Sequence, residues 1–459
     1  MCRWALPVLL AALATAAPAL AQDRASDRSS VAKANDDAIK SGDALPAEHA
    51  LGDWGGLRTR LTGEGVDLQP SYIAEIAGVV SGGKRHGTDY AHELKLRADI
   101  DLETLAGWKG WSLHGTLLER AGRNASADYL GDDLDQVQEI YGATDHAVAH
   151  LGYFYLEHVS GDKVSVDAKF GRLPVGLDFA ASPLYCGFLS LGLCPEPRGL
   201  TINGSFSTDP SATWGGRVKV APQGFYVMGG VYQVRPRYGG PSGFDWGFSN
   251  TSGAIVPLEV GWTPRPGAQQ LQGHYKLGVA YDTSDYPDLL PDGPTHHQHL
   301  SYYALFDQML ARTGSSSSGT DGLILLGGWS HADRATSIFR DFAFLGLAAN
   351  GVIRSRPNDS IQFLVTRGWI SRRLTEAQQL AEASGEPLPT GFPPAPGGFG
   401  PTPIAPGIQT GETVYEVNYK LHAADGVILT PDLQYVEHPG AARSIPDALV
   451  LGGRIEVDF

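Results

Sequence analysis

After position 21 the chain has no apolar run approaching the roughly 18 residues of a spanning helix, so any passage through a membrane must use something other than helices. It is also short of positive charge, with 35 basic against 50 acidic residues. That balance excludes nucleic acid as a partner, which would call for a basic stripe. Catalytic signatures are missing as well: there is no G-x-S-x-G, no H-E-x-x-H, no Walker loop and no G-x-G-x-x-G opening a helix. Paired carboxylates such as Asp132-Asp133 fall in a polar segment where solvation accounts for them. The sequence therefore points to no enzyme and no cofactor, and it shows no repeat of fixed period.

Cysteine is scarce, and the N-terminus decides which cysteines count. Met1-Cys2-Arg3-Trp4 gives one positive charge, an apolar run follows from Ala5 to Ala17, and Ala19-Leu20-Ala21 supplies small residues for cleavage before Gln22. This is the layout of a secretory signal peptide over 1–21, too short and too poorly flanked for an anchor. Its removal takes Cys2 away and leaves Cys186 and Cys194, eight positions apart. In an exported protein that pair reads as one disulfide closing a tight loop. The alternative, a metal pair, lacks His or Cys companions at ligand spacing. The exported part carries 34 basic residues (35 less Arg3) and 50 acidic ones, a net charge of −16. Residues 22–50, rich in Ser, Asp, Ala and Lys, read as a flexible periplasmic lead-in to a domain over 51–459.

What is abundant fits strands. Glycine numbers 58, tyrosine 18, phenylalanine 16 and tryptophan 9, while the mean hydropathy is −0.14. A membrane barrel reconciles a hydrophilic average with aromatic richness, because alternate residues face a wet lumen and aromatic belts mark the two interfaces. The 438 residues left by removing 21 from 459 have room for sixteen spanning strands of about ten residues, or equally for two or three soluble domains.

Period-2 alternation recurs along the chain. In His92–Glu103, Leu94, Leu96, Ala98, Ile100 and Leu102 share one face; Glu93, Lys95, Arg97, Asp99, Asp101 and Glu103 share the other. Val164–Gly171, Thr213–Val220, Tyr275–Asp282 and Tyr415–Leu421 repeat the design. Gly322–Trp329 and Phe339–Ile353 are apolar on both parities, as strands facing a packed neighbour or an inward loop would be. Short turn clusters (Val159–Asp162, Ala423–Gly426) contrast with long loops (Asn124–His150, Asp178–Ser211, Arg235–Gly253, Asp282–His299, Arg372–Thr410), the asymmetry of an outer-membrane barrel. The last of these holds eight prolines from Pro387 to Pro406, an extended and semi-rigid composition. The chain ends on a strand, with Leu449, Leu451, Gly453, Ile455, Val457 and Phe459 on one face. A closed barrel needs such a strand to pair with the first, and Phe459 is read as a C-terminal assembly signal.

Leu51-Gly-Asp-Trp-Gly-Gly-Leu-Arg-Thr-Arg-Leu61 with Gly65-Val-Asp-Leu68, Lys169-Phe-Gly-Arg172, the Cys186–Cys194 loop, Thr208-Asp-Pro-Ser-Ala-Thr-Trp-Gly-Gly-Arg217, Leu429–Tyr435 and His438-Pro-Gly440 together resemble the carbohydrate-selective porin (OprB-like) family of Gram-negative outer membranes, over roughly residues 50–459. The resemblance implies an all-β fold, a sixteen-stranded transmembrane antiparallel β-barrel with a loop folded inward, and a charged constriction that passes monosaccharides such as glucose. The proline-rich stretch is outside that resemblance.

A sugar offers hydroxyls and no charge, so a selective narrow point needs rigid polar groups whose binding is weak enough for exit. Arginine suits this with its planar, permanently charged fork of donors. Arg97, Arg172 and Arg217 are the first candidates for the constriction, with Glu93, Lys95, Glu119 and Arg120 next. The bland reading of each is hydration of a wide lumen. Trp214 has the outward parity of its strand and reads as an interface residue. His296, His297 and His299 lie in a turn-rich segment and read as a solvated loop, with no metal assigned. The expected partners are small hydrophilic solutes, outer-membrane lipids and the barrel-assembly machinery. A homotrimer stands as the alternative to a monomer. The competing functions are a general or organic-acid-selective porin of the same fold, and an exported soluble all-β sugar-binding protein.

Overall fold

The computed structural model describes residues 49–132, 134–140, 147–235, 242–267, 270–313, 322–391 and 404–459. The expected signal peptide over 1–21 and the lead-in up to residue 48 lie outside them, as does most of the proline-rich stretch. The architecture is a single closed antiparallel barrel of sixteen strands, each pairing with its sequence neighbours, and the last pairs with the first. The strands are β1 (Val66–Ser81), β2 (Gly87–Asp101), β3 (Trp111–Gly122), β4 (Ala147–Ser160), β5 (Val164–Leu173), β6 (Thr213–Pro222), β7 (Phe225–Val234), β8 (Gly253–Trp262), β9 (Gly273–Asp282), β10 (His299–Arg312), β11 (Gly322–Ala332), β12 (Phe339–Asn350), β13 (Ser360–Ile370), β14 (Gly411–Ala424), β15 (Val427–Glu437) and β16 (Ala448–Asp458). No helix among the described residues is long and apolar enough to cross a membrane, and the strands do the crossing.

The alternation read from the sequence becomes the two faces of this wall. Leu94, Leu96, Leu117, Val218, Leu258, Leu277, Leu345, Phe363 and Leu451 are exposed on the outside, while Glu93, Lys169, Arg217, Glu259, Glu416 and Arg454 are buried within. An apolar outer band around a polar interior suits lipid outside and water inside, and it removes the soluble all-β reading. Trp111, Phe225, Trp262 and Tyr275 stand exposed toward the end that carries the termini, and Trp329, Trp369, Tyr435 and Tyr281 toward the other. These are the two aromatic belts.

The tight turns sit at the terminal end. Between β14 and β15, Gly426 adopts φ +66°, and a Cβ there would meet Ala50 N at 2.3 Å and Asp458 O at 2.5 Å, so only glycine fits. Ala50 N donates to Asp458 O at 2.8 Å, which ties the lead-in to the end of the last strand.

The long connections rise from the opposite rim, and the one between β5 and β6 turns into the barrel. Its Tyr185, Phe188, Leu193, Leu200 and Phe206 pack on Leu326 of β11 and on Phe339, Phe342 and Phe344 of β12 in one buried apolar cluster. This explains why those two strands are apolar on both parities: one face meets lipid, the other the inward loop. Burying a side chain of that size is worth about 1.5–3 kcal/mol, so five of them hold the loop in place. The last long loop, expected to be extended and semi-rigid, begins instead with a helix, Arg372–Ser384. Ser371 Oγ accepts from Arg373 N at its start and Gly385 closes its end with φ +69°.

Candidate functional site

The inward loop, residues 174–212, makes a circuit of the lumen. It leaves β5, and Ala180 N donates to Glu259 Oε2 of β8 at 2.8 Å; Lys276 of β9 donates to the Ala181 carbonyl. It then reaches the far wall. Leu189 N and Ser190 N donate to the two oxygens of Glu416 at 2.6 and 3.1 Å. Asn418 Nδ2 donates to Gly187 O at 3.0 Å, and Arg454 donates from Nη1 to Cys186 O at 2.8 Å and from Nη2 to Phe188 O at 3.1 Å. A Cβ on Gly187 would stand 2.6 Å from Gln362 Oε1, so the loop lies against β13 without room for a side chain. Cys186 and Cys194 form the expected disulfide at the turn of this circuit. A second segment, residues 134–140, supports the loop from above: Leu191 N donates to Gln136 O at 2.7 Å and Arg198 Nε to Leu134 O at 2.6 Å.

Returning, the loop presents Asp209 to β2. Lys95 Nζ lies 3.1 Å from Asp209 and 2.8 Å from Glu93 Oε1. Arg120 of β3 grips the other oxygen of Glu93, with Nε at 3.0 Å. Arg97 pairs with Asp99 at 2.7 Å, and Asp99 in turn holds His114, whose other ring nitrogen lies 3.1 Å from Glu157. Glu93, Lys95, Arg97 and Arg120 thus form one inward wall of β2 and β3 beside the loop, and Lys95, Arg97 and Asp209 keep part of their surface open to the lumen. Glu139, from the upper segment, stands 3.2 Å from Arg454 and in the field of Arg120 and Lys95. Burial raises its carboxyl above the ordinary range despite Arg454.

Arg217 points inward as its parity requires but is sealed. Its Nη2 lies 3.0 Å from Asp178 of the loop and its Nη1 2.7 Å from Asp167. Lys169 of β5 adds 2.8 Å to Asp178 and 3.5 Å to Glu157. For Asp178, burial opposes ionisation, but Arg217 and Lys169 outweigh it and hold the carboxyl below its ordinary range. This network fastens the first turn of the loop to β5 and β6.

Two sequence candidates leave the lumen. Arg172 shares the outward parity of Phe170 and pairs across the sheet with Phe154 and Trp214. Its guanidinium lies 5.8 Å from the Trp246 ring and donates to Asp245 O and Ala212 O at 2.7 and 2.6 Å, so it braces an outer rim loop. Glu119 stands opposite the exposed Leu94 and pairs with His92 at 3.2 Å on the outer face. The alternation itself excludes both from the pore. Sequence reading passed over Glu75, Glu139, Glu416, Asn418 and Arg454, which organise the far wall. Trp214 is outward, as expected from its parity. Of the histidines in the turn-rich segment, His296 lies 3.0 Å from Asp288, His297 2.7 Å from Asp285 and His299 2.9 Å from Thr336 Oγ1; among the described residues no group of three or more ligating side chains is set to hold a metal.

A closed sixteen-stranded barrel with a lipid-facing band, an interior loop and fixed charges beside a narrowed lumen defines the porin class of membrane channel. Comparison with known proteins goes further. The family described as "Carbohydrate-selective porin, OprB family" matches residues 85–459. Porin B of Pseudomonas aeruginosa is 30% identical over 430 residues, covering 89% of this chain and 91% of that protein. The high-pH structure of Pseudomonas putida OprB superposes with a TM-score of 0.79 at 27% identity, covering 91% of this chain and 99% of that one. The low-pH structure of the same protein superposes with a TM-score of 0.55 at 22% identity, covering 91% and 100%, and shows the fold alone. The chain belongs to the carbohydrate-selective porin family, and fold and family together place it in the outer membrane.

Proposed function

We propose that the barrel passes neutral, monosaccharide-sized solutes by diffusion, and that the β2–β3 wall facing the inward loop is its selective constriction. The charge count at that wall supports this reading. Lys95 and Arg120 are matched by Glu93 and Asp209, and Arg97 by Asp99, three cations against three carboxylates in two contact groups. Matched in this way, these six groups leave no surplus charge of their own to attract an anion or a cation. Their fixed donors and acceptors instead offer hydrogen bonds to an uncharged polyol that replace those it leaves in water. An acid-selective channel would call for surplus guanidinium at the same place. Glu93, Lys95, Arg97 and Arg120 are therefore assigned to the constriction, while Arg217 acts through the loop it fastens.

Liposome swelling tests the reading. Purified barrel should admit glucose faster than a neutral amino acid of similar or smaller size, and faster than a disaccharide. Equal rates for all small solutes would reduce the protein to a general porin, and a preference for an organic acid would favour the acid-selective alternative.

A further inference from the structure

On the outer wall β12 departs from regular alternation. Its register against β13 slips between Phe339 and Asp341, so Arg340 is an extra residue, and such bulges re-aim a side chain. Here Arg340 joins Asp341 on an open cleft of about 540 Å³ that is also lined by Trp329, Trp369, Arg372 and Thr375. Trp329 and Trp369 are 43% and 39% exposed and belong to the aromatic belt on the long-loop side. In an outer-membrane barrel that side is extracellular, so the cleft lies at the depth of the outer-leaflet headgroups.

Its cations are only loosely paired. Arg372, the first residue of the helix Arg372–Ser384, has no hydrogen bond or ion pair among the described residues. Arg340 Nε is buried without a hydrogen-bond partner, and the nearest carboxylate oxygen, of Asp341, is 3.7 Å away. That carboxylate is already engaged: its Oδ1 accepts from Trp329 Nε1 at 3.2 Å and lies 2.8 Å from His331 Nδ1. Arg367, outside the cleft lining, has its guanidinium 5.6 Å from the Trp369 ring and donates to Thr413 Oγ1. Two guanidiniums against one carboxylate line the cleft, a local inversion in a chain whose net charge is −15. Directly along the same strands, Leu345 and Phe363 are exposed on the outer face.

We propose that this cleft is a binding site for the phosphate-bearing headgroup of an outer-leaflet lipid. Arg340 and Arg372 take the phosphate oxygens, for which a planar fork of donors is suited. The two indoles cover the apolar side of the headgroup. The acyl chains run down over Leu345 and Phe363. That continuity between a cationic cleft and an apolar track favours a lipid over a free phosphate ion, which would need only the first.

The test uses the folded full chain in neutral detergent, titrated with a diphosphorylated glucosamine lipid, with the same lipid after removal of its phosphates, and with inorganic phosphate, and bound adducts are counted by native mass spectrometry. The phosphorylated lipid should be retained, and the Arg340→Ala/Arg372→Ala double variant should weaken that retention roughly tenfold or more. Heat-modifiable gel migration of the variant, expected to be unchanged, shows that the barrel is intact. Equal retention of the dephosphorylated lipid, or undiminished retention by the double variant, overturns the proposal. Arginine-dependent binding of inorganic phosphate with no preference for the lipid would overturn the lipid assignment and leave a simple anion site.

Discussion

Arg97 and Arg217 have the same side chain and the same inward parity, yet their surroundings give them different tasks. The Arg97 side chain is 18% exposed beside Asp99, with its guanidinium available to the lumen. The Arg217 side chain is 1% exposed and closed in by Asp178, Asp167 and Glu157. Removing a partner from a buried ionic network leaves uncompensated charge, typically at a cost of about 3–5 kcal/mol, whereas a partly open pair contributes little to stability. Arg97→Ala should therefore leave two cations against three carboxylates at the constriction, making the channel more cation-selective, read as a shifted reversal potential across a salt gradient, with its unfolding temperature nearly unchanged. Arg217→Ala should do the reverse: the compact gel band should be lost at a clearly lower temperature. A stable Arg217→Ala channel with altered selectivity, alongside a destabilised Arg97→Ala, would exchange the two assignments.

At the scale of the element, the inward loop is held by partners far away in sequence, and this sets how much of it could be read. Strand alternation is local, so the wall of β2, the paired parities of β11 and β12 and the outward Trp214 were legible from neighbouring residues alone. The circuit of the loop was not. Leu189 meets Glu416 across 227 positions and Arg454 meets Phe188 across 266, and in sequence Glu416 and Arg454 are two more polar residues of a lumen face. Arg172 and Glu119 were misplaced although the signal was present, since Arg172 continues the outward parity of Phe170 and Glu119 that of Leu117. The helix Arg372–Ser384 was hidden by the prolines that follow it, while Ser371 and Gly385 marked its ends. The loop also carries a pH-sensitive member. Burial pushes the Glu196 carboxyl up to about 8, and Asp209 adds to this while Thr208 and Arg198 oppose it. A carboxyl raised in the folded state is stabilising while protonated, so its contribution is complete below its ordinary value near 4.5 and is lost as pH rises through about 8. Open-channel current noise from a loosening loop should grow between pH 7 and pH 9, and Glu196→Gln should abolish that growth. The same growth in the variant would remove Glu196 as its cause.

For the molecule as a whole, the governing fact is closure. Every strand edge inside lipid must be paired, because an open row of amide groups has no water to turn to. The last seam is β1 with β16, running from Ser71 opposite Asp458 to Val79 opposite Val450. Beyond it, Phe459 N donates to Pro70 O at 3.0 Å and the Arg58 guanidinium meets the Phe459 carbonyl. The final three residues therefore contribute both to the seam and to its lock at the terminal end. Deleting residues 457–459 removes the partners of Tyr72 and Ser71 and the Phe459 contacts together. The truncated chain should fail to give a heat-modifiable band when folded into liposomes. Phe459→Ala separates the two contributions, since it keeps every backbone bond of the seam and removes only the ring. If the truncation fails with pure lipid while Phe459→Ala folds there but accumulates poorly in cells, backbone closure governs folding and the terminal ring serves recognition by the assembly machinery. Normal insertion of the truncated chain in both settings would show that a seam ending at Glu456 suffices and would remove the assembly role given to Phe459.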